Sequence, residues 1–87
     1  MATRESVEQF IQKCEDTIQY AQDQYKESSL QEHYNNDDYT DALKGLEEAY
    51  HDLAHLAHSA NAQQREQLHR LRLRLQDQQS AMILQER

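Results

Sequence analysis

Proline is absent from this sequence and glycine occurs once, at position 45. Almost nothing therefore interrupts a helix, since proline removes a backbone donor and glycine loosens the chain. Tryptophan is also absent, and phenylalanine and cysteine occur once each. The lone Cys14 excludes an intramolecular disulfide and any cysteine-rich zinc site. No stretch approaches the ~20 consecutive apolar residues that span a bilayer. The opening MATRESVEQF lacks the apolar run of a secretory leader. A cytoplasmic protein without membrane contact is the expectation. Glycine-rich phosphate loops, nucleophile motifs and recognisable pairs of cleft carboxylates are missing too. That argues against an enzyme, a cofactor and a small-molecule substrate.

What is present favours helix. Gln, Glu, Leu, Ala and Arg are abundant and β-branched residues scarce. The 87 residues allow a single domain, 1–87. The apolar fraction of 37% is low, so the core is thin and another copy or a protein partner becomes an expected source of extra burial. The net charge of −7 is unevenly placed. Residues 1–61 carry 4 Lys/Arg against 13 Asp/Glu, whereas residues 62–87 carry 5 Arg against 3 Asp/Glu. The acidic balance argues against a general nucleic-acid or anionic-membrane binder. It points instead to an arginine-bearing segment lying on acidic neighbours.

The most ordered pattern is residues 39–60, YTDALKGLEEAYHDLAHLAHSA. With Tyr39 at heptad position a, the a, d and e positions are Tyr39, Ala42, Leu43, Leu46, Ala49, Tyr50, Leu53, Leu56, Ala57 and Ala60. Such a wide apolar stripe belongs to a helix that packs on other helices. A second stripe precedes it, with Val7, Ile11, Cys14, Ile18, Ala21, Tyr25 and Ser28 at alternating steps of four and three, widened by Phe10. Thr3 and Ser6 are candidate N-caps, Ser6 with Gln9 forming a capping-box pattern. The break falls in residues 28–38, SSLQEHYNNDD, where Asn36 or Asp37 is placed to cap the next helix and Leu30 and Tyr34 to fold over the core. Beyond Ala60 the apolar phase slips by one residue, and leucines resume at 68, 71 and 75, with Met82 after them. The slip predicts a turn near 59–62, with Asn61 and Gln64 as a capping pair. The expected fold is all-α: an antiparallel three-helix bundle with helices near 4–32, 37–59 and 62–85. The alternative is a helical hairpin with one long second helix, which would dimerise to cover leucines 68–84.

Several side chains invite a chemical reading. His51, His55 and His58 share one helical face, at the i, i+4 spacing that holds zinc, beside Glu48 and Asp52. They lie at heptad positions f, c and f, opposite the core stripe, so a solvated face is the competing reading. Arg65, Arg70, Arg72 and Arg74, with His69, form a basic patch whose guanidinium groups suit phosphate. No aromatic residue is interleaved there to stack on bases, so ion pairing with acidic helices and coverage of the core edge compete. Cys14 lies on an apolar stripe and reads as a small hydrophobe. Asp37, Asp38 and Asp41 lack the glycine and closing glutamate of a calcium loop and suit a helix start. Tyr25, Tyr39 and Tyr50 are placed to pack with their hydroxyls at the core rim. Tyr20, Tyr34 and Leu73 fall off the stripes and are candidates for a contact surface.

The runs QEHYNNDDYTDA (31–42), LEEA (46–49), NAQQREQLHRLRLRLQ (61–76) and MILQ (82–85) resemble the YtzC-like family of small uncharacterised Bacillus proteins. The resemblance covers nearly the whole chain and implies a short, cytoplasmic helical protein, with no catalytic residues to transfer. Three functional readings follow. The favoured one is a non-enzymatic protein–protein interaction or structural module. The second is a weak metal- or pH-responsive protein using the histidine face. The third is a nucleic-acid accessory protein using the arginine-rich third helix.

Overall fold

The computed structural model describes residues 3–30 and 36–86, and the side chains within these segments except 28–30, 36 and 85–86. Three helices account for almost all of this: α1 (Arg4–Leu30), α2 (Asn36–His58) and α3 (Ala62–Glu86). All three pack against one another. Chain direction follows from side-chain contacts. Tyr39 near the start of α2 reaches Met82 near the end of α3, so these two are antiparallel. Arg4, Val7 and Glu8 at the start of α1 line one cleft with Asn61, Gln63, Gln64 and Gln67 at the start of α3, so those two run parallel. The result is an up–down–up bundle, 46 × 19 × 15 Å, wide enough for one central core.

The apolar stripes build that core. Val7, Cys14, Ile18 and Ala21 come from α1, and Tyr39, Ala42, Leu46, Ala49 and Leu53 from α2. Leu68, Leu71, Leu75 and Met82 come from α3, and Ala60 closes the core at the turn. Every a position of the 39–60 heptad is buried. Phe10, Ile11, Tyr25, Leu43, Leu56 and Ala57 flank the core, half-buried. Removing each large apolar side chain from water stabilises the fold by roughly 1.5–3 kcal/mol.

Between α2 and α3 the chain turns at residues 59–61, which rules out the single long second helix. Backbone bonds from Ser59 to the Leu56 carbonyl (3.1 Å) and from Ala60 to the Ala57 carbonyl (3.3 Å) tighten the end of α2. Asn61 then caps α3 reciprocally. The Gln64 N–H donates to Asn61 Oδ1 at 2.8 Å, and the Asn61 N–H donates to Gln64 Oε1 at 2.9 Å.

Of the two candidate caps of α1, Thr3 is the one used, and the Ser6–Gln9 capping box does not form. The Ser6 N–H donates to Thr3 Oγ1 at 3.0 Å and the Thr3 N–H to Ser6 Oγ at 3.1 Å, while Gln9 turns to Glu5. A serine hydroxyl therefore performs the return contact usually made by Glu or Gln. Tyr39 does not leave its hydroxyl at the rim. It is buried, and its O–H donates to the Met82 carbonyl at 2.7 Å, because a phenol taken from water must find an acceptor. Tyr50 does hold its hydroxyl at the surface, accepting from Gln76 Nε2 at 3.1 Å. The expected cover of the core by Leu30 and Tyr34, and the turn leading into α2, lie outside the described side chains and residues.

Candidate functional site

The histidines of α2 stay on its outer face. His51, His55 and His58 are all exposed, as are Glu48 and Asp52. His55 lines a shallow depression of about 450 Å³ between α1 and α2, with Ser6, Phe10, Asp52, Leu56 and Ser59. Among the described residues, no group of three His, Cys, Asp or Glu side chains is arranged to hold a metal ion. His55 and His58 occupy the last turn of α2, where any positive charge would suit the carbonyl end of the helix.

The arginines of α3 separate into four environments rather than one patch. Arg65 Nε donates to the Ala57 carbonyl at 3.1 Å, tying the start of α3 to the end of α2. Arg70 pairs with Glu66 of its own helix at 2.9 Å on an exposed face, a contact of small energetic weight. Arg74 pairs with Glu15 of α1 at 3.8 Å. Arg72 is half-buried, and its Nε is shielded from solvent with no hydrogen-bond partner. The expected pairing with acidic neighbours on other helices is thus seen for Arg74, whereas Arg65 meets backbone and Arg70 a local glutamate.

Tyr20 and Leu73 are exposed, at 42% and 45%, as their phase predicts, and Ile83 and Leu84 are exposed with them. Desolvation and the carboxylates of Asp38, Asp41 and Glu27 push the Tyr20 phenol above its ordinary range. Tyr34 lies outside the described residues. Cys14 is buried as a free thiol. Burial, opposed by Lys13 and reinforced by Asp52, pushes its pKa up to about 11. That keeps it protonated and unreactive at neutral pH.

Two further concavities lie on the described surface. A polar cleft of about 310 Å³ separates the starts of α1 and α3, lined by Arg4, Val7, Glu8, Asn61, Gln63, Gln64 and Gln67. A mainly apolar groove of about 300 Å³ lies between α2 and α3, with Tyr50, Leu53, Ala54, Ala57 and Leu68 beneath and Arg65, His69 and Arg72 alongside. This groove was not foreseen from the sequence, where Arg65, His69 and Arg72 at helical spacing beside Leu68 mark only its α3 side.

These features define the class: a small all-α bundle whose polar side chains stand on open helical faces and in shallow grooves. The chain belongs to the family described as "Protein of unknown function (DUF2524)", which matches residues 1–84. It is 52% identical over 85 residues to "Uncharacterized protein YtzC" of Bacillus subtilis (strain 168), covering 98% of this chain and 94% of that protein. The resemblance carried by residues 31–42, 46–49, 61–76 and 82–85 is thereby borne out. No solved structure matches the chain. Among the described residues no helix is long and apolar enough to cross a membrane.

Proposed function

We propose that this protein is a non-enzymatic interaction or structural module of the cytoplasm, binding itself or another protein through its helical faces. The observation that carries this reading is where the apolar residues go. The stripes of α1, α2 and α3 are used in one shared core, and every described His and Lys, with every described Asp and Glu except Asp38, is left exposed. General acid–base and nucleophilic chemistry need groups held in mutual reach and shielded from water. Exposed Tyr20 and Leu73 are the contact residues the reading favours.

Sedimentation equilibrium of the intact chain, together with crosslinking in the native cell through a photoreactive group at position 73, tests the proposal. A mass above that of one chain, or a crosslink to one specific protein lost in Tyr20→Ala, is the expected result. A strict monomer that crosslinks to nothing would overturn it.

A further inference from the structure

The α2–α3 groove has features that packing alone leaves unexplained. Its base is apolar, formed by Leu53, Ala57 and Leu68, and its charged lining is two arginines, Arg65 and Arg72, with His69 between them in sequence. No carboxylate lines it, although the chain carries −7 overall. Arg72 Nε lies out of solvent contact without an acceptor. That donor can gain an acceptor from the groove only if the Arg72 side chain turns its guanidinium toward the opening.

The groove is also short. Gln76 donating to the Tyr50 hydroxyl at 3.1 Å bridges one end. Arg65 donating to the Ala57 carbonyl at 3.1 Å bridges the other. From Tyr50 to Ala57 the helix advances only about 10 Å. A partner helix lying along α2 and α3 would meet these bridges after roughly two turns. A single extended alkyl chain would not, because it advances about 1.2 Å per bond and spans the same length in eight to ten carbons. The volume of about 300 Å³ stands at the lower end of small-ligand clefts, which hold an apolar body and a few placed polar groups.

We propose that the α2–α3 groove binds a medium-chain fatty carboxylate, its alkyl chain on Leu53, Ala57 and Leu68 and its head group at Arg72, with Arg65 and His69 alongside. This goes beyond the interaction module proposed above and does not depend on it. The occupant is a ligand and undergoes no reaction. Arginine suits the head group because its planar fork donates two parallel hydrogen bonds to a carboxylate.

Decanoate is the probe, titrated below its micelle threshold into the intact protein and followed by the Leu53 and Leu68 methyl resonances and the Arg72 Nε–H. Saturable shifts at these nuclei are expected. Decanol and decyltrimethylammonium, with the same chain but neutral or positive heads, should bind at least tenfold more weakly. Arg72→Gln should weaken decanoate about tenfold, and Arg70→Gln, which removes a charge from a different face, should not. Should Arg72→Gln fail to fold by circular dichroism, Arg72→Lys takes its place, with a smaller loss expected because the fork is gone. Shifts that do not saturate, that map elsewhere, or that decanol reproduces at equal concentration overturn the proposal. So do the same shifts on raising protein concentration alone, which assigns the groove to a second copy. Displacement of decanoate by lower concentrations of an acidic, leucine-bearing helical peptide likewise assigns it to a protein partner.

Discussion

Gly45→Ala is the substitution that most directly tests how α1 and α2 meet. Gly45 lies in the interior of α2, half-buried, with ordinary negative φ. A Cβ added there would stand 3.4 Å from Thr17 Cγ2 of α1. That is van der Waals contact without overlap, and one such pair gains only about 0.1–0.2 kcal/mol. The helix term is larger: alanine is favoured over glycine in a helix interior by about 0.8–1.0 kcal/mol. The expected outcome is therefore stabilisation by about 1 kcal/mol, a rise in Tm of roughly 4–8 °C for a chain of this size. Thermal melts by circular dichroism at matched concentration measure it. Thr17 has little freedom to retreat, because its hydroxyl donates to the Lys13 carbonyl at 2.9 Å. A fall in Tm would therefore mean that the glycine is needed for close approach of the two helices, refuting the reasoning. Thr17→Ser in the Gly45→Ala background would then recover the loss by removing the methyl. Gly45→Leu should destabilise in either case, wedging the helices apart at a cost of about 1–3 kcal/mol.

Tyr39→Phe removes the buried hydrogen bond to the Met82 carbonyl. It should cost about 0.5–1.5 kcal/mol in chemical denaturation and speed amide exchange where α2 begins and α3 ends; an unchanged midpoint would contradict that assignment. Asn61→Ala takes away one half of the reciprocal cap of α3. A loss of about 1 kcal/mol is expected, largely restored by Asn61→Asp, and equal losses in both variants would argue against capping. For Cys14, burial raises the thiol pKa from 9.0 to about 11. The unfolded chain releases its proton first, so this contribution is intact below pH 9.0 and disappears as the pH climbs to about 11. Tyrosines also ionise in that range, so the measurement is a comparison of denaturation midpoints with Cys14→Val. The native chain should lose stability more steeply above pH 9.0, and parallel curves would sink the idea.

Much of the architecture could be read from residue spacing because each helix uses its apolar stripe where the stripe points. The heptad over 39–60 places every a position in the core. The one-residue slip after Ala60 marks the turn at 59–61, because a helix continued through it would rotate Leu68, Leu71 and Leu75 away from the stripe of α2. Local capping was legible at Asn61 and left open between Thr3 and Ser6, where two hydroxyl residues compete and spacing alone does not choose. The hydroxyl of Tyr39 was beyond reach, since its acceptor lies 43 residues away. The sorting of Arg65, Arg70, Arg72 and Arg74 into different surroundings depends on how far α3 is rotated against α2 and α1. Phase within one helix does not contain that rotation. For the same reason the groove beneath Arg72 appears only once the two helices are set side by side.

An odd number of alternating rods has a simple geometric outcome: it starts at one pole and finishes at the other. Arg4 and Glu86 therefore stand about one helix length apart, on the order of 40 Å. Anything tethered to the two poles is held at a fixed stand-off, as by a strut. Tension applied between them loads the helices in shear along their shared seams, so the whole length of the bundle resists together.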